Sequence, residues 1–489
     1  MRCNLPQAAL HLEKTRLKSA HWPTHFVIAL NALFVLTLQP SARANSLLVL
    51  LEHPQRLSFT GFASSLTTVG DLDGDGVPDY VVGAYQHFWH DNLKQGRVFV
   101  FSGQSGTLLR ILDLPRPRHG GGSGATPFSG AAFGWAVASA GDIDQDSTPD
   151  LLIGAFNQNE RGEVYIFSGK TGALLSSLPS PQPQQSAGFG WSVASLGDLT
   201  GDQIPEFMVG AFAHDGIGRV FVFNGKDNSL VWTLAPPSPE SASFGWSIAE
   251  ANDLDRDGTP DIVVGAPYTS VGEVSARGRA YAFSGQTGKL LYTIDDPRPR
   301  AGAVFGWCVT TGGDYNEDGV SDILIGAPYK DTSNTRAAGE AFLFSGQNGA
   351  LLMTLRNPAP TKSYSGFGLA LTSSPDLNQD GVPEILIGAP FQTVDEFHLQ
   401  GEAFLFDGRS GRHLSTFDNP FPHQGSMFGY TLASPGDVNG DAVPDFAIGT
   451  AGQTIRDRAS VGRVYLFLSR GASPVPVESS ANRYTPHKD

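Results

Sequence analysis

The stretch Phe244-Gly-Trp-Ser-Ile-Ala-Glu-Ala-Asn-Asp253-Leu-Asp-Arg-Asp-Gly-Thr-Pro-Asp261-Ile-Val-Val-Gly265-Ala-Pro267 decides how this chain folds. A phenylalanine–glycine pair opens a short apolar segment, which ends in a nine-residue acidic run. A β-branched run follows and stops at glycine. The 489-residue chain repeats this statement seven times. The leading aspartates are Asp71, Asp142, Asp198, Asp253, Asp314, Asp376 and Asp437. Phe62, Phe133, Phe189, Phe244, Phe305, Phe367 and Phe428 stand nine residues before them. Gly83, Gly154, Gly210, Gly265, Gly326, Gly388 and Gly449 stand twelve residues after them. The spacing between units is 71, 56, 55, 61, 62 and 61 residues.

Each unit reads as four strands. In the fourth unit the first begins at Phe244 and the second is Asp261–Ala266. The third is Gly278–Phe283, ended by Ser284-Gly-Gln-Thr-Gly288, and the fourth is Leu290–Ile294. These segments are short, rich in β-branched and aromatic residues, and separated by turn-forming residues. Seven such units predict an all-β fold, a seven-bladed β-propeller of four-stranded blades. The last unit lacks a fourth strand after Gly462–Phe467, whereas Leu47–Leu51 supplies one at the other end of the chain. The N-terminal strand is therefore expected to complete the last blade and remove an open sheet edge.

Organisation follows. Arg2, Lys14, Arg16 and Lys18, the apolar run Phe26–Leu38 and Ala42-Arg43-Ala44 read as a signal peptide over residues 1–44. Whether it is cleaved or kept as an anchor stays open. The propeller is expected over 45–470, and the polar segment 471–489 as a disordered tail. The product would be secreted, extracellular or periplasmic, with no transmembrane segment in the mature chain, and a monomer. Cys308 is then its sole cysteine, so stability must come from core size, closure or metal. The net charge of −15 argues against a nucleic-acid partner.

The acidic runs place oxygen ligands at positions 1, 3, 5 and 9, the pattern of a tight loop around a hard cation. Units one, two and four carry Asp71/Asp73/Asp75/Asp79, Asp142/Asp144/Asp146/Asp150 and Asp253/Asp255/Asp257/Asp261. Units five, six and seven carry Asp314/Asn316/Asp318/Asp322, Asp376/Asn378/Asp380/Glu384 and Asp437/Asn439/Asp441/Asp445. Unit three, with Asp198/Asp202/Glu206 and Thr200, is expected to bind last or not at all. Glycine at position 6 permits the positive φ that folds the ligands inward; Ser147, Gln203 and Ala442 replace it in units two, three and seven. Position 12 is always valine or isoleucine, so these loops join strands rather than helices. Acidic turns can also close hairpins without metal. Yet 24 of the 47 carboxylates after residue 44 occupy ligand positions, where they repel unless neutralised. Ca2+ is the expected cofactor, with a structural role.

The whole pattern resembles the FG-GAP repeat family, the propeller of integrin α subunits. The name is spelled by Phe133-Gly134 and its five equivalents and by Gly265-Ala-Pro267, Gly326-Ala-Pro328 and Gly388-Ala-Pro390. Phe62-Ala63 and four Gly-Ala or Gly-Thr pairs without proline depart from it. The resemblance implies calcium on one face and a partner on the other. On that second face Trp135, Trp191, Trp246, Trp307 and Tyr430 follow Phe-Gly and line up as an aromatic cup, or else as packing between blades; Ser64 and Leu369 break the series.

No metalloprotease, nucleophile-elbow, phosphate-loop or Cys-x-x-Cys motif is present, so no enzyme is expected. His87, Trp89, His90 and Asp91 form one cluster, read as a solvated loop, and Pro115–Gly130 is the longest loop on the aromatic face. The function expected is a protein-recognition or cell-adhesion module for an extracellular protein or glycan ligand. A calcium-dependent lectin, or a polysaccharide- or phospholipid-cleaving propeller, are the alternatives.

Overall fold

A computed structural model describes residues 46–88, 94–116, 130–332, 335–359, 364–455 and 458–468. Seven four-stranded antiparallel sheets contain 28 strands in chain order, and the described residues hold no helix beyond two short 3-10 turns. The signal segment, the tail 471–489, the Trp89–Asp91 part of the histidine loop and most of Pro115–Gly130 lie outside the described residues.

Closure occurs where the ends of the repeat predict it. Strand Ser46–Glu52 pairs antiparallel with Arg463–Leu468, with Leu47 opposite Phe467 and Leu51 opposite Val464. Leu51 and Val464 then share one core cluster with Phe62, Tyr80 and Val82 of the first blade. Each of the other clusters likewise draws on two neighbouring blades, as Val81 and Val98 do with Leu151 and Ile153. The fold is thus held by sheet-on-sheet burial repeated around a ring.

The seven repeat phenylalanines are fully buried. Each sits against an aromatic ring of its own third strand, from Phe62–Phe99 at 5.6 Å to Phe367–Phe404 at 5.9 Å between centroids. The repeat glycines explain themselves at the seams. A Cβ on Gly265 would lie 2.1 Å from the carbonyl oxygen of Gly306 in the next blade, and Gly83, Gly154, Gly210, Gly326 and Gly388 meet the same obstacle. The two motifs are one contact, backbone against backbone across a seam.

The start of the first strand differs from expectation in three blades. It begins at the phenylalanine in blades one, two, three and seven, but at Ser247, Val309 and Leu371 in blades four, five and six. Those three blades carry Gly-Ala-Pro. Elsewhere Phe62, Phe133, Phe189 and Phe428 pair with Ala84, Ala155, Ala211 and Thr450. A proline directly after the alanine removes the N–H that would extend this ladder.

Candidate metal centres and the aromatic mouth

In blade one, Asp71 folds the acidic loop around itself. Its Oδ1 accepts the N–H groups of Gly74 at 2.6 Å and Asp75 at 3.1 Å, and its Oδ2 accepts that of Gly76 at 2.8 Å. The ninth residue ties the loop to the blade: Asp79 Oδ2 accepts from Leu72 N and Oδ1 from Gly103 N, both at 2.8 Å. Gly103 belongs to the turn between the third and fourth strands, so loop and turn share one end of the blade. Asp150, Asp261 and Asp322 receive the matching turn glycines Gly169, Gly285 and Gly346 at 2.9–3.0 Å. Position 6 has positive φ in all seven loops, from 66° at Ala442 to 92° at Gly258, including the non-glycine Ser147 and Gln203.

Electrostatics separate the two ends of each loop. The ninth carboxylates are at most 1% exposed. Burial raises Asp79, Asp150, Asp261 and Asp322 to about 6 and Glu384 to about 7, against the N–H bonds they accept. For Asp71, Asp198 and Asp437, desolvation also pushes upward, but several backbone N–H donors together outweigh it and hold them below the usual carboxylate range. The buried member is thus the one most in need of a positive neighbour.

Three carboxylates converge within 4.8 Å in each of the first four blades: Asp71/Asp73/Asp79, Asp142/Asp144/Asp146, Asp198/Asp202/Glu206 and Asp253/Asp255/Asp261. The loops are expected to be unequal, and their carboxylates do not all gather in the same way. Asp75 and Asp257 at position 5, and Asp150 at position 9, stand outside those triads. Blades five, six and seven bring no three carboxylates so close among the described residues, which leaves Asp318, Asp380, Asp441 and Asp445 outside any triad. The cause is local. The fifth carboxyl turns back on its own loop: Oδ1 of Asp257, Asp318, Asp380 and Asp441 accepts the N–H of Thr259, Val320, Val382 and Val443, each at 2.9 Å. Asp445 Oδ2 accepts Val438 N at 3.0 Å, tying loop to blade as Asp79 does. In these three blades the amides Asn316, Asn378 and Asn439 also replace the third carboxylate. The hydrogen-bonded frame around Asp314, Asp376 and Asp437 is nevertheless the same.

Hard oxygen ligands on a loop with positive φ suit calcium's flexible coordination. Blade three has a substitute of its own. Asn224 Nδ2 donates to Glu206 Oε1 at 3.1 Å, Thr200 Oγ1 at 3.2 Å and Asp202 Oδ2 at 3.4 Å. Where the other turns carry serine or aspartate, this amide already supplies positive hydrogens to the carboxylates.

At the opposite end of the first strands the rings form an arc. Centroids lie 4.5 Å apart for Trp135–Trp191, 4.6 Å for Trp191–Trp246 and 4.8 Å for Trp246–Trp307. Phe156 and Phe212 wedge between neighbouring tryptophans, while Tyr85 and Tyr329 back Trp135 and Trp307. The five cup residues are half-buried. Trp191, Trp246, Trp307 and Tyr430 also line a central cavity of about 320 Å³. Packing between blades and lining of the channel mouth are therefore both true of these rings.

The histidine loop is a correction. His87 is not solvated: it is 4% exposed and stacks on His53 at 5.2 Å, across the seam between blades seven and one. Nothing in its own loop signalled this, because its partner lies 34 residues earlier, beyond the closing strand.

Known proteins match where the geometry repeats. The FG-GAP repeat family matches residues 62–101, 133–167, 244–283, 305–344 and 428–467. The chain is 31% identical over 233 residues to integrin alpha-5 of Xenopus laevis, covering 43% of this chain and 21% of that one. Against human integrin alpha-11 it is 27% identical over 274 residues, 53% of this chain and 22% of the relative. Human integrin alpha-E is 34% identical over 209 residues, 39% and 16% respectively. The chain thus spans about a fifth of the length of the curated relatives it matches. Five of the seven blades match FG-GAP repeats and two further blades keep the same register, so the seven-bladed propeller is similar to that of integrin alpha chains.

Proposed function

We propose that this propeller is a secreted recognition or adhesion module, clamped by calcium on its acidic face and receiving an extracellular protein on its aromatic face. One observation carries the reading: buried, like-charged carboxylates gather at one end of the blades, while half-exposed tryptophans gather at the other. The likeness to integrin α chains supports a recognition role. Among the described residues no helix is long and apolar enough to cross a membrane.

Calcium would be held first by the converged triads of blades one, two and four, and last by that of blade three, where Asn224 already serves the carboxylates. Asp257 and the other fifth residues would join through the oxygen that their turn leaves over. When bound, the ion supplies positive charge to carboxylates that otherwise repel. The chain's own part is to pre-fold the loop through the N–H bonds to the first and ninth residues. Rigid loops then fix the turns that join strands three and four, and so the blade edges.

Calorimetric titration with calcium, with melting curves alongside, tests the clamp. Saturation at about four to seven ions per chain with a raised melting temperature is expected. No binding at millimolar calcium overturns it. The arc also suits stacking on a sugar ring, so binding to a glycan array, lost in Trp191→Ala and Trp246→Ala, would replace the protein ligand by a glycan.

A further inference from the structure

At several blade seams, the residue four places after the repeat glycine meets the chain just beyond the preceding blade's fourth strand. Two seams hold neutral amides: Asn357 Nδ2 donates to Gln392 Oε1 at 2.7 Å, and Asn419 Nδ2 to Gln453 Oε1 at 2.9 Å. The seam between blades four and five places a lysine against a carboxyl instead. Lys330 and Asp296 are 2% and 1% exposed, and the ammonium group donates to Asp296 Oδ1 and, at 2.8 Å, to the carbonyl of Arg298. Glu340, 4% exposed, brings Oε2 to 3.7 Å from Lys330 Nζ. The Phe342 ring lies 4.9 Å from the same nitrogen. Asp296 Oδ2 is buried without a hydrogen-bond partner.

We propose that Lys330 and Asp296 condense in the folded protein to an isopeptide bond across this seam, with Glu340 relaying the proton. A buried ion pair recovers its desolvation cost poorly. Conversion to an amide removes both charges, leaving a neutral link like those of the sister seams. The site meets the needs of that reaction. Burial draws the lysine below its ordinary value, against the pull of Asp296. In the step proposed, the proton of the Nζ–Oδ1 hydrogen bond moves to Oδ1, which becomes the departing hydroxyl. The lysine Nζ attacks Asp296 Cγ and the C–N bond forms. Glu340 takes a proton from that nitrogen and returns it to the departing hydroxyl. The C–O bond breaks and one water leaves, with nothing oxidised or reduced. Arg298 and Arg356 hold the Glu340 carboxylate in place, with N–H donors at 3.1 and 2.9 Å from Oε1. Fixed proximity replaces the encounter that makes such condensation slow between free groups, and the dry seam opposes the return of water.

Mass decides it. The purified full chain should be lighter by one water than expected from the mass of its Lys330→Arg variant, after correction for the substitution. Trypsin should leave the peptides around Asp296 and Lys330 joined. Glu340→Gln, folded as judged by circular dichroism, should retain the water and give the two peptides separately. A wild-type chain at its full mass, with a free Lys330 peptide after prolonged incubation, overturns the proposal. A linked Glu340→Gln chain overturns the relay.

Discussion

The two ends of the blades solve one problem, holding seven sheets in a ring, by opposite means. At the acidic end seven loops follow almost one design, each with backbone N–H groups folded around its first residue and a buried ninth carboxylate. At the aromatic end there is no common design. Tryptophan holds the second place after phenylalanine in four blades, Tyr430 takes it in blade seven, and Ser64 and Leu369 take it in blades one and six. Uniformity suits a repeated structural job, whereas variation breaks the pseudo-symmetry, as recognition of a single asymmetric partner requires. The acidic end gathers like-charged carboxylates, while the aromatic end packs ring against ring.

The largest effect expected from that contrast is on chelation. An ion held at about 100 times its Kd contributes roughly 2.7 kcal/mol per site. Four convergent sites therefore put on the order of 10 kcal/mol at stake. EDTA should lower the melting temperature by several degrees at least, and an unchanged melt would dissolve the contrast. Single substitutions should sharpen it. Asp261→Ala strands the buried N–H groups of Leu254 and Gly285, which are 2.7 and 2.9 Å from its oxygens. It should cost about 2–4 kcal/mol by denaturant unfolding, part of it even without calcium. Trp246→Ala, on a half-buried ring, should cost about 1–3 kcal/mol and leave calcium stoichiometry untouched.

Acidity tests the same division. In the metal-free protein, Asp79, Asp150, Asp261 and Asp322 have folded values near 6, above the unfolded carboxylate range. Their contribution favours the fold at low pH and is lost as pH rises through about 6. His53 and His87 run the other way. Burial, then neighbouring positive charge, draws them to about 3 and 4. Their contribution is complete above about 6.5 and is lost as pH falls towards 4. Calcium cancels only the carboxylate penalty. The rise in melting temperature on adding calcium should therefore shrink as pH drops from 7 to 5, and a constant increment would show that the ninth carboxylates do not bind the ion.

What was legible in sequence follows the same line. The blades, their closure and the loops could be read because each rests on residues at fixed spacing within one unit: Phe62 to Asp71, Asp71 to Gly83. Spacing named the acidic residues of each loop but not their directions. Asp257 and Asp441 sit at the same fifth position as Asp146, yet only Asp146 joins a triad. The side-chain pairs at the seams could not be read. His53 with His87, Asp296 with Lys330 and Asn357 with Gln392 occupy equivalent places but differ in residue type, and only the Asn–Gln pair recurs, at Asn419 and Gln453. The late start of the first strand in three blades was written in the prolines of Gly-Ala-Pro, a cue that needs the register of the ladder to interpret. Asn224, which sets blade three apart, lies in the turn and not in the acidic run.

The smallest predicted effect concerns the seam where both ends meet the closing strand. Six Phe-Gly glycines have φ between 80° and 89°, and Ala63 adopts the same left-handed backbone at 63°. The sister glycines face the next blade across 2.0–2.2 Å from an added Cβ to a carbonyl oxygen, whereas the Gly449 position lies 3.4 Å from the oxygen of Ala63. The closing seam is therefore looser there, which makes room for alanine but leaves its backbone strain. Left-handed geometry costs an alanine about 1–2 kcal/mol. Glycine gives back part of that gain through its freer unfolded chain. Ala63→Gly should stabilise the propeller by about 0.5–1 kcal/mol in denaturant unfolding, with calcium binding unchanged. Destabilisation would mean that the Ala63 methyl, buried in the cluster shared by blades seven and one, contributes more than its backbone costs.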